Sequence, residues 1–291
     1  MISREVITAV LIGLAVTGVI PAIAGLALLA VHKIKASSFW AGVLAYVIAF
    51  VAYSILSGIL SVVMVASGGL DMTNMMSAAT ESNSTLNIVL TICLGVVIAL
   101  AMSICVGGCM KTRTFNAALS CGLGFGISYL VMKAISFYSS YSIFRQINSG
   151  EFDKMYASMV SQGLMDKNTV NTLKETFTSQ TTEGTAVSIV SAVAVALLMT
   201  AAAVIIMRGV CAKKAFAGIG ISLVLFAAQF GLSGFIPNAA AAVIVALAIG
   251  AAALIFAVRM KKDIVPPEKP SYSNDSFMQS IENAKNDTET K

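Results

Sequence analysis

Lys133 is the charged side chain that the sequence places inside an apolar stretch of membrane-span length, so any search for chemistry starts there. Ser128 lies five residues before it and Ser136 three residues after it. A lysine held away from water can act as a general base toward a serine, which makes a serine–lysine nucleophile conceivable. Serines on membrane helices more often hydrogen-bond to the backbone, and nothing in the sequence marks the oxyanion donors that such chemistry needs.

Lys133 has a structural interpretation beside the functional one. An ionisable side chain at membrane depth is by default a functional candidate. The apolar stretch 115–138 nevertheless ends only five residues later, about 7 Å away at helical rise, and a lysine stem can reach that far to the interface. Both interpretations stay open from the sequence.

Catalytic and metal-binding residue types are missing from the predicted spans. These spans contain no Asp, Glu or His, and the sole histidine, His32, lies at the end of the first span. Cys105 and Cys109 share a helix face, and Cys121 follows, but no histidine joins them and buried cysteine usually behaves as a small apolar residue. We therefore predict no catalytic residue, no metal site and no cofactor.

A glycine-rich stretch surrounds these residues. Gly122, Gly124 and Gly126 alternate in FNAALSCGLGFGISYLVMKAISFY, and Gly122 with Gly126 forms a GxxxG pair. Such spacing lets a neighbouring backbone approach one face of a helix. We therefore predict a groove for a transmembrane partner or substrate here. The candidate groove residues are Gly122, Gly124, Phe125, Gly126, Tyr129, Lys133 and Gln229.

The composition identifies the class of protein. Of the 291 residues, 57% are hydrophobic and 11% are charged, whereas soluble domains carry about 25% charged residues. The apolar runs are long and do not alternate, so they predict helices rather than barrel strands. The prediction is an all-α, polytopic transmembrane bundle of about seven spans. The spans are 6–31, 39–66, 88–110, 115–138, 185–207, 215–235 and a seventh that follows a turn at 236–238 and runs to 258.

The remaining segments are polar. The transmembrane domain covers 1–262, with loops at 67–87 and 139–184, and 263–291 has the composition of a disordered tail. The second loop is too long for a plain connection, so we predict short amphipathic helices in it. One is capped by Asp166 and covers 167–179, with Val170, Leu173 and Phe177 on one face.

Two features of the first spans carry further predictions. Pro21 interrupts the first span and is expected to kink the helix without breaking it, as membrane helices tolerate. Trp40 and Tyr46 lie near the start of the second span, where amphipathic rings favour the headgroup level.

Basic residues predict the orientation. The clusters Lys33/Lys35, Lys111/Arg113, Arg208/Lys213/Lys214 and Arg259/Lys261/Lys262 all fall on one predicted side. By the positive-inside rule that side is cytoplasmic, so the N-terminus and both polar loops are expected outside and the tail inside. The net charge of +5 thus reflects topology and not nucleic-acid binding. The expected partners are the lipid bilayer and a transmembrane protein or transporter complex.

The order of motifs resembles a known family. An opening span ends in HKIK, the next begins FWAGVLAYVIAF, and GLGFG follows a basic turn. This layout over 1–262 resembles the YhfC-type membrane peptidases, relatives of the glutamic intramembrane proteases of the CPBP and PrsW group. The resemblance implies a polytopic helical fold and an intramembrane peptidase activity.

The sequence departs from the family at the proposed active site. Where the family reads approximately GxGHGGxE, this chain has Phe125 at the histidine and Tyr129 at the glutamate. The preceding span has no acid, and the sixth span offers only Gln229 in place of a histidine. Within this resemblance the chain is a pseudoprotease whose scaffold has lost its chemistry.

The leading functional prediction is a catalytically inactive protein of a bacterial cytoplasmic membrane that binds a transmembrane partner or accompanies a membrane complex. One alternative is a small-molecule transporter or permease component in which Tyr129, Lys133 and Gln229 line a polar path. Another is an active intramembrane peptidase.

Overall fold

The computed structural model describes residues 1–31, 34–66, 84–110, 112–163, 165–235 and 239–264. Within these ranges the regular structure is entirely helical, which confirms the all-α class for the described part of the chain. The helices are α1 (Arg4–Ala30), α2 (Ala36–Ala66), α3 (Ser84–Ile104), α4 (Phe115–Ser149), α5 (Glu151–Ser161), α6 (Lys167–Thr178), α7 (Thr182–Cys211), α8 (Ala215–Phe235) and α9 (Ala239–Arg259).

Five helical stretches in the described residues are long and apolar enough to cross a membrane. They are Arg4–Ala30, Ala36–Ile59, Phe115–Ser149, Thr182–Cys211 and Ala241–Asp263. Two shorter apolar stretches, Cys93–Gly108 and Ala215–Gln229, accompany them. By length and composition these are the helices of a multi-pass membrane protein.

Several predictions fall on residues outside the described ranges. These are the features at His32, Lys33 and Lys111, the loop 67–87 before Ser84, the turn 236–238 and the tail beyond 264.

Helix α7 is the centre of the bundle. In its most apolar window 78% of the residues are buried, against 50% or less in the other four spanning helices. α4, α8 and α9 pack directly on α7, while α2 packs on the other side of α4. α3 completes the bundle between α2 and α8. This arrangement places α4 between two helices, α2 and α7.

Helix α1 continues through Pro21, as predicted. The turn before it, Ala15–Val19, is a π-helix. Proline lacks the backbone donor that would close the preceding α-helical turn, and a wider turn accommodates that gap. Thr17 Oγ1 donates to the Gly13 carbonyl at 2.7 Å, so this buried hydroxyl is satisfied inside the same helix.

Helix α4 is longer than the sequence prediction. The predicted span ends at 138, but the helix continues to Ser149 and stops at Gly150, whose φ of 76° is left-handed. Phe144 and Ile147 explain the extension, since both are buried beside Val6 at the start of α1. The polar residues 139–142 are therefore part of a helix and not of a loop.

Short helices follow α4, as the length of the polar segment predicts. Asp166 caps α6 by accepting a hydrogen bond from the Asn168 amide at 3.2 Å. Val170 and Phe177 pack against the cluster that surrounds Phe144. The predicted capped helix is confirmed, and its apolar face rests on the bundle.

The two ends of the bundle are fixed by different contacts. At one end, the Ile2 amide donates to Asn148 Oδ1 at 2.8 Å and Asn148 Nδ2 donates to the Ile2 carbonyl at 3.1 Å. At the other end, the Lys35 amide donates to Ser120 Oγ at 2.9 Å. Arg208 pairs with Asp263 at 2.8 Å at this second end. We call it the basic end, because the described basic residues that follow α1, α7 and α9 lie there.

Candidate functional site

The first half of α4 is packed tightly against two helices of the same chain. A Cβ added to Gly124 would overlap the carbonyl oxygen of Phe39 on α2, and one added to Gly42 would overlap the Cys121 carbonyl. On the opposite face, a Cβ on Gly122 would lie 2.7 Å from the Thr200 carbonyl of α7. The predicted close approach of a backbone is therefore made within this chain, on both sides of α4.

Two further contacts reinforce the α4–α7 side. A Cβ on Gly126 would lie 2.9 Å from the Ala196 carbonyl. Thr200 Oγ1 donates to the Ala196 carbonyl at 2.9 Å and approaches the Gly122 carbonyl at 3.4 Å. Within the described residues, the three candidate glycines thus pack against helices of the same chain.

Phe125 is fully buried at the end of this packed region. Its ring meets Tyr46 edge-to-face, with centroids 5.3 Å apart, and Tyr46 in turn lies 6.3 Å from the ring of Tyr129. Edge-to-face pairs at such distances are favourable beyond simple burial. Tyr46 is buried among these rings, whereas Trp40 near the start of α2 is exposed. The level of both rings relative to the headgroups stays a prediction from the sequence.

Beyond Phe125, α4 borders an open space that we call the tyrosine cavity. Its volume is about 520 Å³, within the roughly 300–1,000 Å³ usual for ligand sites. Walls come from α2, α3 and α4, and α6 contributes Phe177. The lining residues are Tyr46, Ala49, Phe50, Tyr53, Leu94, Ile98, Tyr129, Met132, Lys133, Ile135, Ser136, Ser139, Ser140, Ile143 and Phe177.

A second space, the hydroxyl cleft, lies between α4 and the start of α7 and has a volume of about 440 Å³. Most of its lining side chains are serines and threonines. The residues are Lys133, Ser136, Phe137, Ser140, Ser179, Gln180, Thr181, Gly184, Thr185 and Ser188. Lys133, Ser136 and Ser140 belong to both spaces, so the mainly apolar cavity and the polar cleft meet at the lysine.

A third space, the apolar groove, lies between α1, α2 and α4 and also has a volume of about 520 Å³. It shares Tyr46, Phe50 and Met132 with the tyrosine cavity. The three spaces overlap along α4, where the apolar groove borders residues 127–132, the tyrosine cavity 129–143 and the hydroxyl cleft 133–140.

Lys133 lies between these surfaces and is partly buried. Its Nζ is 5.8 Å from the centroid of the Tyr129 ring, within the range of a cation–π contact. The side chain therefore reaches back toward the middle of α4 rather than outward along the helix. Among the described residues, the ion pairs are Lys174–Asp153 and Arg208–Asp263, and Lys133 has no carboxylate partner.

The serines beside Lys133 hydrogen-bond within their own helix. Ser128 Oγ donates to the Gly124 carbonyl at 2.8 Å, and Ser136 Oγ donates to the Met132 carbonyl at 3.3 Å. Both hydroxyls therefore face the backbone, in the arrangement expected of membrane serines. The described residues contain no Lys133–serine hydrogen bond.

Gln229 is buried, with 4% of its surface exposed, and its Oε1 has no hydrogen-bond partner in the described structure. It lies on α8, and it lines none of the three spaces described above. The structure thus brings Tyr129 and Lys133 together but leaves Gln229 apart from them.

Two of the cysteines meet in the core. The Sγ atoms of Cys105 and Cys121 are 3.6 Å apart, and Cys105 Sγ lies 3.3 Å from the Ala41 carbonyl. The side chain of Cys109 lies outside the described residues. Within the described part of the chain, no group of three or more His, Cys, Asp or Glu is placed to hold a metal ion.

Sequence reasoning missed most of the cavity wall. Ile98 comes from a helix that carries no sequence signal for a site, and Ser188, which lines the hydroxyl cleft, belongs to a helix whose sequence indicates a plain span. One usable signal existed, because Tyr46, Phe50 and Tyr53 recur at helical spacing along one face of α2.

Comparison with protein-family models, curated proteins and solved structures gave no match. The resemblance to YhfC-type membrane peptidases therefore stays a prediction from the sequence.

Proposed function

We propose that this chain is a non-catalytic, multi-pass membrane protein that binds a membrane-embedded ligand in the tyrosine cavity. The observation that supports this most is the junction at Lys133, where a mainly apolar cavity and a polar cleft share a cation that has no ion pair among the described residues. Apolar pockets with a few convergent polar groups are the usual form of a ligand site.

The residue types favour binding over catalysis. In the five spanning stretches, carboxylates occur only near helix ends, at Glu5, Glu183 and Asp263. None of them lines the cavity or the cleft, and the serines beside Lys133 are bonded to their own helix. Within the YhfC resemblance, this corresponds to a pseudoprotease, with Phe125 and Tyr129 where the family has histidine and glutamate. Among the described residues, the alternative of an active peptidase has no carboxylate or imidazole in this region to act as a general base, and Lys133 makes no hydrogen bond to a serine.

The transporter alternative receives less support. Its polar path requires Tyr129, Lys133 and Gln229 to line one passage. Gln229 lies on α8 and borders none of the spaces along α4, so the described residues offer no such passage.

The proposal includes seven spans in a bacterial cytoplasmic membrane, with the N-terminus outside and the C-terminus cytoplasmic. Two observations support it. α3 and α8 are each 21 residues long and apolar, near the about 20 residues needed to cross a bilayer. Contacts at Lys35, Arg208 and Lys261 gather basic residues at one end of the bundle, the end that the positive-inside rule makes cytoplasmic.

Filling the tyrosine cavity with a large side chain tests the proposed ligand binding. Ser136→Trp adds a large ring at an exposed position that borders both spaces. Ser54→Trp is the matched control, since Ser54 is also exposed and also donates to the carbonyl four residues before it, but it lies outside the cavity. A photo-crosslinking amino acid at Ile135 reports occupancy in native membranes.

We expect a discrete adduct at Ile135 that Ser136→Trp abolishes and Ser54→Trp leaves unchanged. An adduct that persists in both variants, or no discrete adduct in either background, would contradict the proposal. Both variants are first compared by thermal unfolding, so that loss of the adduct is attributed to the blocked cavity and not to misfolding.

A further inference from the structure

We propose that the ligand of the tyrosine cavity is an anionic phospholipid whose phosphate is held at Lys133 and whose acyl chain lies along Tyr46, Ile98 and Met132. The inference rests on the proposed function, because it names the ligand class of the same site. Four features of the site support it.

The size of the cavity favours an acyl chain over a whole transmembrane helix as its occupant. A helix with its side chains is about 10–12 Å in diameter and rises about 5.4 Å per turn, so one turn fills roughly 500 Å³. The cavity volume of about 520 Å³ is comparable to a single helical turn. An acyl chain is far thinner and can lie along the whole cavity.

Lys133 has no ion pair among the described residues, so an anionic ligand would be favourable beside it. Charged side chains at membrane depth are normally paired with another group. Lys133 contacts the ring of Tyr129 and has no ion pair among the described residues. Glu183, the carboxylate nearest in sequence to the hydroxyl cleft, is exposed and does not line it. A phosphate oxygen would supply the missing partner.

The hydroxyl cleft offers further donors beside the lysine. Ser140 borders both spaces, and Ser188 faces it from α7. Neither hydroxyl makes a hydrogen bond within the described part of the chain, which contrasts with Ser128 and Ser136. Phosphate oxygens are strong acceptors for such hydroxyls and for an ammonium group.

The order of polarity along α4 matches that of a lipid in one leaflet. Along α4, in the direction away from the basic end, Met132 is followed by Lys133 and then by Ser136, Ser139 and Ser140, with Ile135 and Ile143 as the apolar residues of this stretch that also line the cavity. A lipid in the leaflet opposite the basic end would place its headgroup and its chain in the same order. The apolar groove shares Tyr46, Phe50 and Met132 with the cavity, so the chain can continue into it.

Photoreactive lipids test this inference on the full chain. Phosphatidylglycerol and phosphatidylcholine that carry the same diazirine-labelled acyl chain are reconstituted separately into vesicles with the protein. Labelled peptides are then mapped by mass spectrometry. The variants are Lys133→Met, Lys133→Arg and, as a control for general charge attraction, Lys154→Met, since Lys154 is exposed on α5.

We expect phosphatidylglycerol to label the peptides that hold Ile98 and Met132 several-fold more than phosphatidylcholine. Lys133→Met should reduce this preference about fivefold, the effect expected of one lysine at an anionic lipid surface. Lys133→Arg should keep it, and Lys154→Met should leave it unchanged. Thermal unfolding of each variant confirms that the fold is kept.

Equal labelling by the two lipids, insensitive to Lys133→Met, would mean that bulk acyl chains fill the cavity and would overturn the inference. A protein adduct at Ile135 without lipid labelling would also overturn it, while the proposed function would stand. If neither the Ile135 probe nor the lipids gave an adduct, both proposals would fail.

Discussion

The two halves of α4 have different surroundings, although they belong to one unbroken helix. From Cys121 to Gly126 the helix touches α2 and α7 so closely that no additional carbon fits on three of its glycines. From Tyr129 to Ile143 the same helix borders two open spaces and carries the one lysine that lines both of them. In this helix the spaced glycines mark the part that packs closely against α2 and α7. The open spaces along α4 begin after Gly126.

Truncating a side chain in the closed half of α4, from Cys121 to Gly126, should have the largest effect on stability. Phe125→Ala removes a fully buried ring from the contact with Tyr46, and such truncations cost about 3–5 kcal/mol. Phe216→Ala is the matched control, because Phe216 on α8 is 91% exposed and should change stability by less than about 0.5 kcal/mol. Reversible unfolding in detergent measures both. Similar losses for the two variants would show that Phe125 is not part of a packed core.

Adding one carbon to the closed half should rank next. Gly124→Ala places a Cβ against the Phe39 carbonyl, so we expect a loss at or above the upper end of the about 1–3 kcal/mol usual for overpacking. Gly220→Ala on α8 meets nothing within 4 Å and should be neutral or stabilising, since alanine favours helices by about 1 kcal/mol. If the two substitutions changed the free energy of unfolding by the same amount and in the same direction, the close approach of α2 and α4 would be wrong.

A substitution at Gln229 tests whether this buried amide on α8, away from the open spaces along α4, contacts a ligand. Gln229→Met removes a buried amide oxygen that has no hydrogen-bond partner among the described residues. The free energy of unfolding should therefore rise by about 1 kcal/mol. Gln162→Met at an exposed site should have no effect on the same unfolding curve. Destabilisation by Gln229→Met would indicate a partner outside the described residues and a second polar site.

The ion pair between Lys174 on α6 and Asp153 on α5 should contribute the least to stability. Lys174 Nζ lies 2.6 Å from Asp153 Oδ1, but the side chains are 36% and 58% exposed. A double-mutant cycle of Asp153→Asn and Lys174→Met should therefore give a coupling of roughly 0.2–1 kcal/mol. A coupling of several kcal/mol would mean that α5 and α6 are held as firmly as the core, and the two halves would then differ less than we argue.

The sequence predicted the elements that depend on local chemistry. Long apolar runs without alternation predict spanning helices, and Asp166 predicts the start of α6. The sequence could not predict the end of α4 at Ser149, because the burial of Phe144 and Ile147 depends on contacts with the distant Val6.

The candidate site was predicted in part for the same reason. Tyr129 and Lys133, two of the predicted groove residues, line the tyrosine cavity. Phe125 and the three glycines are packing residues, since their neighbours are helices of this chain. Local spacing indicates that a face will be approached closely, but it does not identify the approaching helix.

An experimental structure of the protein in phosphatidylglycerol nanodiscs, determined beside that of Lys133→Met, tests the central claim most directly. The account predicts elongated density between Tyr46 and Ile98 that ends in a headgroup at Lys133, and loss of the headgroup density in the variant. A tyrosine cavity filled by the protein's own side chains, or density that is identical in the two structures, would contradict it.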